Sequence, residues 1–272
     1  MPLGDLGKKV MGSVADTIKG AGDVVAVTTE VTRKTMVDAL KGTRDVVKEV
    51  TGLAGDVVTG PIHAAHQAGA ELGSAAKGAV VGTIKGAGEV TTVSVDTVSD
   101  TISAAIKGTS EVGGDVAKVA RGAAEGALET AKSVGLKLED TAFSIPRGAI
   151  KGAKETGADI GAVVQGTIQG AIAGTRAVGG DVMQTVQGTA RGAIKGTSEV
   201  GGDLALTAQK AVEGAIDGAK EIGVSAEEAA SAAATGLMEG AQEIGGTAVD
   251  TVKKALTGTI GGVKVVLKAP FK

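Results

Sequence analysis

Cysteine, tryptophan, tyrosine and asparagine are all missing from the 272 residues, and Phe143 and Phe271 are the only aromatics. Each absence excludes something. Without cysteine there is no disulfide framework and no thiolate chemistry. Large aromatic rings supply much of an ordinary core's buried area, so apolar contacts here must come from Val, Ile, Ala, Thr and Leu. The two histidines, His63 and His66, stand three apart and make too poor a ligand set for a metal centre. No Walker-type glycine–lysine run occurs, and no acid–base pair converges. A net charge of only −3 with almost no aromatics lacks the basic patches and stacking platforms that nucleic acid requires. The sequence therefore predicts no catalytic residue, no metal site, no cofactor and no enzymatic function.

Long hydrophobic runs are also lacking. The most apolar stretch, Ile160–Thr175, reads "IGAVVQGTIQGAIAGT" and falls short of the roughly 20 apolar residues a spanning helix needs. The opening "MPLGDLGKKVMGSV" has no signal-peptide core, and Pro2 stands where N-myristoylation needs glycine. The terminal "KVVLKAPFK" places Lys264, Lys268 and Lys272 around apolar residues, the composition of a solvated basic tail. With neither signal peptide nor transmembrane helix recognised, the expectation is a cytoplasmic chain or one peripheral to a membrane or other apolar surface.

What is present is a repeat. Written in lines of 22 from Asp16, the chain aligns without a gap. The third column is a large aliphatic in every line: Ile18, Leu40, Ile62, Ile84, Ile106, Leu128, Ile150, Ile172, Ile194, Ile216, Met238 and Ile260. The fifth is glycine at Gly20, Gly42, Gly86, Gly108, Gly152, Gly174, Gly196, Gly218, Gly240 and Gly262. "AIKGTSEVGGD" appears identically at 105–115 and 193–203, four lines apart. Twenty-two is twice eleven, and eleven residues close three helical turns. The apolar columns step by 4, 3, 4, 4, 3 and 4, a helical spacing and not a strand's alternation. They cover about half the helix circumference. Lys19, Lys41, Lys85, Lys107, Lys151 and Lys195 lie opposite, each followed four residues later by Asp23, Asp45, Glu89, Glu111, Glu155 or Glu199. Lysine before acid is the weaker order for such a pair, so this face reads as solvated, with little stabilising role.

Forty-five glycines are costly in a helix. At about 1 kcal/mol each relative to alanine, they oppose an isolated helix by some tens of kcal/mol. The helix must therefore form against something. Runs such as Gly166, Gly170, Gly174 and Gly188, Gly192, Gly196 are small-xxx-small steps, which let helix backbones approach closely. The column-3 aliphatics form the predicted apolar face, and the column-5 glycines the helix-packing flank. Pro61 is expected to kink the helix, and Pro146 to turn it into a hairpin. The predicted fold is all-α: very long amphipathic helices built of twelve 22-residue repeats, straight or with slight right-handed coiling. Residues 1–15 form a leader, 16–145 one arm kinked near 60–61, 146–266 a second arm, and 267–272 a basic tail.

Segments such as "TIKGAGEVTTVSVDTV" (83–98) and "AIKGTSEVGGDVAKVA" (105–120) resemble the 11-residue repeats of synucleins and perilipins. The doubled unit is similar to that of exchangeable apolipoproteins, and the pattern also resembles group 3 late-embryogenesis-abundant proteins. What this resemblance implies is an amphipathic helix lying on lipid, or a desiccation protectant. Glycine is more abundant here, proline punctuation is missing, and lysine does not dominate the charge. The leading expectation is a homo-oligomer in which glycine-lined flanks pack side by side into a layer, bundle or tube, presenting its apolar face to lipid or another hydrophobic cargo.

Overall fold

The computed structural model describes residues 4–18, 23–41 and 46–265. Twelve α-helices follow one another among these residues: α1 (Asp5–Ile18), α2 (Val24–Lys41), α3 (Val46–Gln67), α4 (Leu72–Val90), α5 (Val95–Glu111), α6 (Val116–Ala131), α7 (Leu138–Thr156), α8 (Ile160–Ala177), α9 (Val182–Glu199), α10 (Leu204–Ile222), α11 (Ala226–Ile244) and α12 (Gly246–Ala255). A small antiparallel hairpin, β1 (Thr259–Ile260) and β2 (Val263–Lys264), closes the described chain.

All-α architecture is thus as expected, but the two long arms are not what forms. Each line of 22 residues is one helix and one turn, and the turn has its own chemistry. Its tenth-column glycine takes the left-handed conformation: Gly69, Gly113, Gly135, Gly157, Gly179, Gly201 and Gly223 have φ between 62° and 80°. A Cβ would strain that backbone. The next amide turns back to the helix it has just left, with Gly114 N donating to Thr109 O, Gly180 N to Thr175 O and Gly202 N to Thr197 O at 2.8–2.9 Å. That satisfies carbonyls orphaned at a helix C-terminus. After five of these seven glycines an acid then caps the next helix; Ser225 does so after Gly223, and Lys137 after Gly135 makes no side-chain cap. Asp115 Oδ1 accepts from the amides of Ala117 and Lys118, and Asp203 Oδ1 from those of Ala205 and Leu206. Side-chain caps of this kind are worth about 1 kcal/mol each. "AIKGTSEVGGD" is therefore the end of one helix, a left-handed glycine and the cap of the next.

The prolines do not punctuate the chain. Pro61 lies inside α3 and Pro146 inside α7; the chain reverses instead after each helix, at Gly69–Glu71 and Gly157–Asp159. α1 starts at Asp5 and crosses the leader boundary expected at residue 15. Residues 267–272, with Lys268, Phe271 and Lys272, lie outside the described residues.

Direct packing alternates along the chain. Each helix lies beside the helix two before it, α4 on α2, α6 on α4, α5 on α3, and so on to α11 on α9. Two layers result, one of odd-numbered and one of even-numbered helices, and successive helices face each other across a shared core. Column 3 fills that core. Leu40, Ile62, Ile84, Ile106, Leu128, Ile150, Ile172 and Ile194 are fully buried, and Ile18, Ile216 and Met238 nearly so. Burying such a side chain contributes about 1.5–3 kcal/mol. Ile260 breaks the pattern, because it sits in β1, partly buried against the end of the core. Small residues fill the remaining space; among their hydroxyls Thr175 pairs with Thr185 at 3.0 Å and Thr197 with Thr207 at 2.9 Å, whereas those of Thr28, Thr32, Thr83 and Ser103 are buried without a hydrogen-bond partner.

Turn chemistry generates the first test. Gly179→Ala and Gly201→Ala force a Cβ into left-handed backbone, and each is expected to lower unfolding stability by about 1–2 kcal/mol. Chemical denaturation measures this; unchanged midpoints would mean that these glycines do not shape the turns.

Candidate functional surface: glycine seams and their charged rims

Within each layer the helices touch through glycine. A Cβ built on Gly122, Gly126, Gly148, Gly166, Gly170, Gly192, Gly214 or Gly236 would come within 3 Å of a backbone carbonyl oxygen of the helix two before it. The carbonyl belongs to the residue 49 positions earlier: Gly126 meets Lys77, Gly214 meets Gln165, and Gly174 meets Glu125. Only a residue without a side chain fits there. The column-5 glycines occupy the same seams, with Gly86 against Arg33, Gly108 against Thr59, Gly152 against Ser103, Gly196 against Arg147, Gly218 against Gln169 and Gly240 against Arg191. Gly20 and Gly42 lie outside the described residues, and Gly262 sits in the turn of the hairpin with φ 82°. The small-xxx-small flanks thus bring together helices of one chain.

Along the rim of each seam runs a ladder of ion pairs. Sequence spacing alone pairs each lysine with the acid four residues on; the structure pairs them across helices. Lys195 Nζ lies 2.6 Å from Glu243, Lys77 lies 3.0 Å from Glu125 and 2.7 Å from Glu129, and Arg147 lies 2.8 Å from Glu199. Lys107 pairs with Glu155, which leaves Lys151 to Asp100 at 3.6 Å. Two helices two apart bring side chains 48 or 52 residues apart into register. These rims are solvent-exposed, and such pairs contribute about 0–1 kcal/mol each. Their effect on titration is clear at Glu243. A hydrogen bond from Lys195 lowers its carboxyl pKa, burial opposes this, and Arg191 lowers it further.

Phe143 is half-buried on the outside of the odd layer, at a column that holds Arg121, Gln165 or Gln187 in neighbouring lines. Two guanidiniums face its ring, Arg147 at 5.6 Å and Arg191 at 5.3 Å from the centroid. Cation–π contacts at exposed sites are worth about 0.5–1 kcal/mol. An open cleft of about 570 Å³ lies on one side of Phe143, lined by Asp96, Asp100, Arg147, Lys151 and Glu199 among others. A second of about 440 Å³ lies on the other, with Gln184, Gln187 and Arg191. Their charged residues are largely tied into the ladders, so neither cleft assembles an acid–base pair.

The remaining candidates do not converge. His63 Nε2 lies 3.4 Å from Glu111, and His66 is exposed. Among the described residues no three His, Asp or Glu side chains are placed to hold a metal ion, and no helix is long and apolar enough to cross a membrane. Two features escaped sequence reasoning. The left-handed glycines were signalled by Gly-Gly-Asp, a helix stop followed by a helix cap. The Phe143–Arg147 contact was signalled by its four-residue spacing, whereas Arg191 had no local signal.

No family model matches the chain, and no curated protein does. Among solved structures, the crystal structure of a de novo designed helical repeat protein matches with a TM-score of 0.38 and 17% identity, over 62% of this chain and 94% of that one.

The ladder generates a direct test. Glu243 is expected to titrate below the ordinary glutamate range, and Lys195→Met should move it upward, as read by NMR pH titration. Because the folded pKa is lowered, the associated stability is present at neutral pH and is lost as pH falls through that value. An unmoved Glu243 titration would contradict the cross-helix pairing.

Proposed function

We propose that the chain is a non-enzymatic structural repeat protein: a two-layer scaffold whose glycine-lined helices complete their side-by-side packing within one molecule. The observation that carries this reading is the seam itself. The flank expected to join one chain to another is occupied, carbonyl by carbonyl, by the helix two places back in the same chain. The apolar column is likewise covered from within, so that among the described residues only Leu206 and Ile244 are large hydrophobics exposed to solvent. What such a scaffold offers outward is a long polar surface of repeated ion-pair rims, interrupted at Phe143. Contacts with other molecules would be made there, through side chains held on a regular frame.

A second reading keeps the hydrophobic-cargo role suggested by the synuclein- and perilipin-like pattern. One observation favours it: the 11-residue phase runs through the turns without a gap. A turn that became helical would keep the apolar columns of both neighbours on one face. The chain could then open onto lipid, at the cost of its seams.

Flotation with phosphatidylcholine vesicles, with circular dichroism on the same samples, separates the two. The scaffold reading predicts that the chain stays in the dense fraction and keeps its cooperative thermal transition. Co-flotation with loss of that transition would replace it with the lipid-surface reading.

A further inference from the structure

A stack of like repeats has two ends, and each end exposes the flank that interior helices bury. Column 1 decides whether that flank can accept a neighbour. From α3 onward it is Gly60, Gly82, Ala104, Gly126, Gly148, Gly170, Gly192, Gly214 and Gly236. On the first helix of each layer it is an acid instead: Asp16 on α1 and Asp38 on α2, both exposed. Charge elsewhere on the flank is not unusual, since Asp100 and Lys210 stand inside seams four residues before the next repeat begins. Charge in column 1 occurs only where the stack begins. The far end is closed differently. There α12 stops at Ala255, and the β1–β2 hairpin folds over the core, with Val263 buried and Gly261 against Ile216.

We infer that Asp16 and Asp38 are stop residues that, with the hairpin, keep a second copy of this chain from extending the stack head to tail. A carboxylate in column 1 would be driven against the carbonyl oxygens of the approaching helix, where nothing neutralises it. Repeat arrays need polar outer faces on their terminal units for this reason, and a heterologous join that did not close would grow without limit.

The inference rests on the reading that packing is completed within one chain, and light scattering behind size exclusion tests the two separately. Wild-type chain is expected at its single-chain mass of 26.3 kDa at every concentration; wild-type association would overturn the underlying reading. Asp16→Ala with Asp38→Ala keeps a residue that Ala104 shows the column accepts, and Ile260→Ser with Val263→Ser loosens the hairpin. All four substitutions together are expected to give reversible, concentration-dependent association, at least doubling the mass. A combined variant that stays single with wild-type helicity overturns the stop, as does a hairpin variant that associates equally with both acids in place. Gly192→Asp supplies an independent check in the interior. It should abolish the wild-type thermal transition, and an unchanged midpoint would show that a column-1 carboxylate does not obstruct a seam.

Discussion

The structure depends on how closely two helix backbones can approach. In each layer a helix lies so near the one two before it that fifteen of the described glycines would each drive a Cβ into a carbonyl oxygen. This contact explains the composition. Glycine weakens an isolated helix by about 1 kcal/mol, a cost accepted only where the missing side chain permits a contact no other residue allows. The core between the layers is filled by Ile, Val, Leu, Ala and Thr, and Phe143, the one aromatic among the described residues, lies outside on the rim.

From that approach the rest follows in order. A register of 49 residues between glycine and carbonyl from α6 onward, and of 53 where α3 and α4 meet α1 and α2, brings side chains such as those 48 and 52 apart into reach, and so sets which lysine meets which acid. The left-handed glycines and capping acids then make turns short enough for the next helix to fall back on the core. The apolar columns then meet those of the opposite layer and form the buried core.

Much of this was legible in the sequence. The 22-residue period, the all-α class, the aliphatic column ending with Met238 and Ile260, and the small-xxx-small flanks of Gly170 or Gly192 could all be read directly. The breaks could not be read from periodicity, because the 11-residue phase continues unbroken through Gly113 or Gly201, and the apolar pattern alone describes one long helix. Local chemistry carried the missing signal, in the pairing of Gly-Gly with Asp115, Asp181 or Asp203. Pro146 misled for the opposite reason: a proline outweighs glycine as a helix breaker by propensity, yet α7 runs through it. Whether the seams lie inside one chain or between chains was not legible at all. Equivalent repeats offer equivalent flanks, and only the turns decide which flank is reached first.

If the seams are filled within the molecule, folding is unimolecular and cannot depend on concentration. Far-UV circular dichroism and thermal unfolding across a hundredfold dilution, without lipid, are the most direct measurement of that claim. Helicity and midpoint that stay constant down the series are the predicted result. Helicity that fades on dilution, or that emerges only when vesicles are added, would contradict it and return the helices to a partner outside the chain.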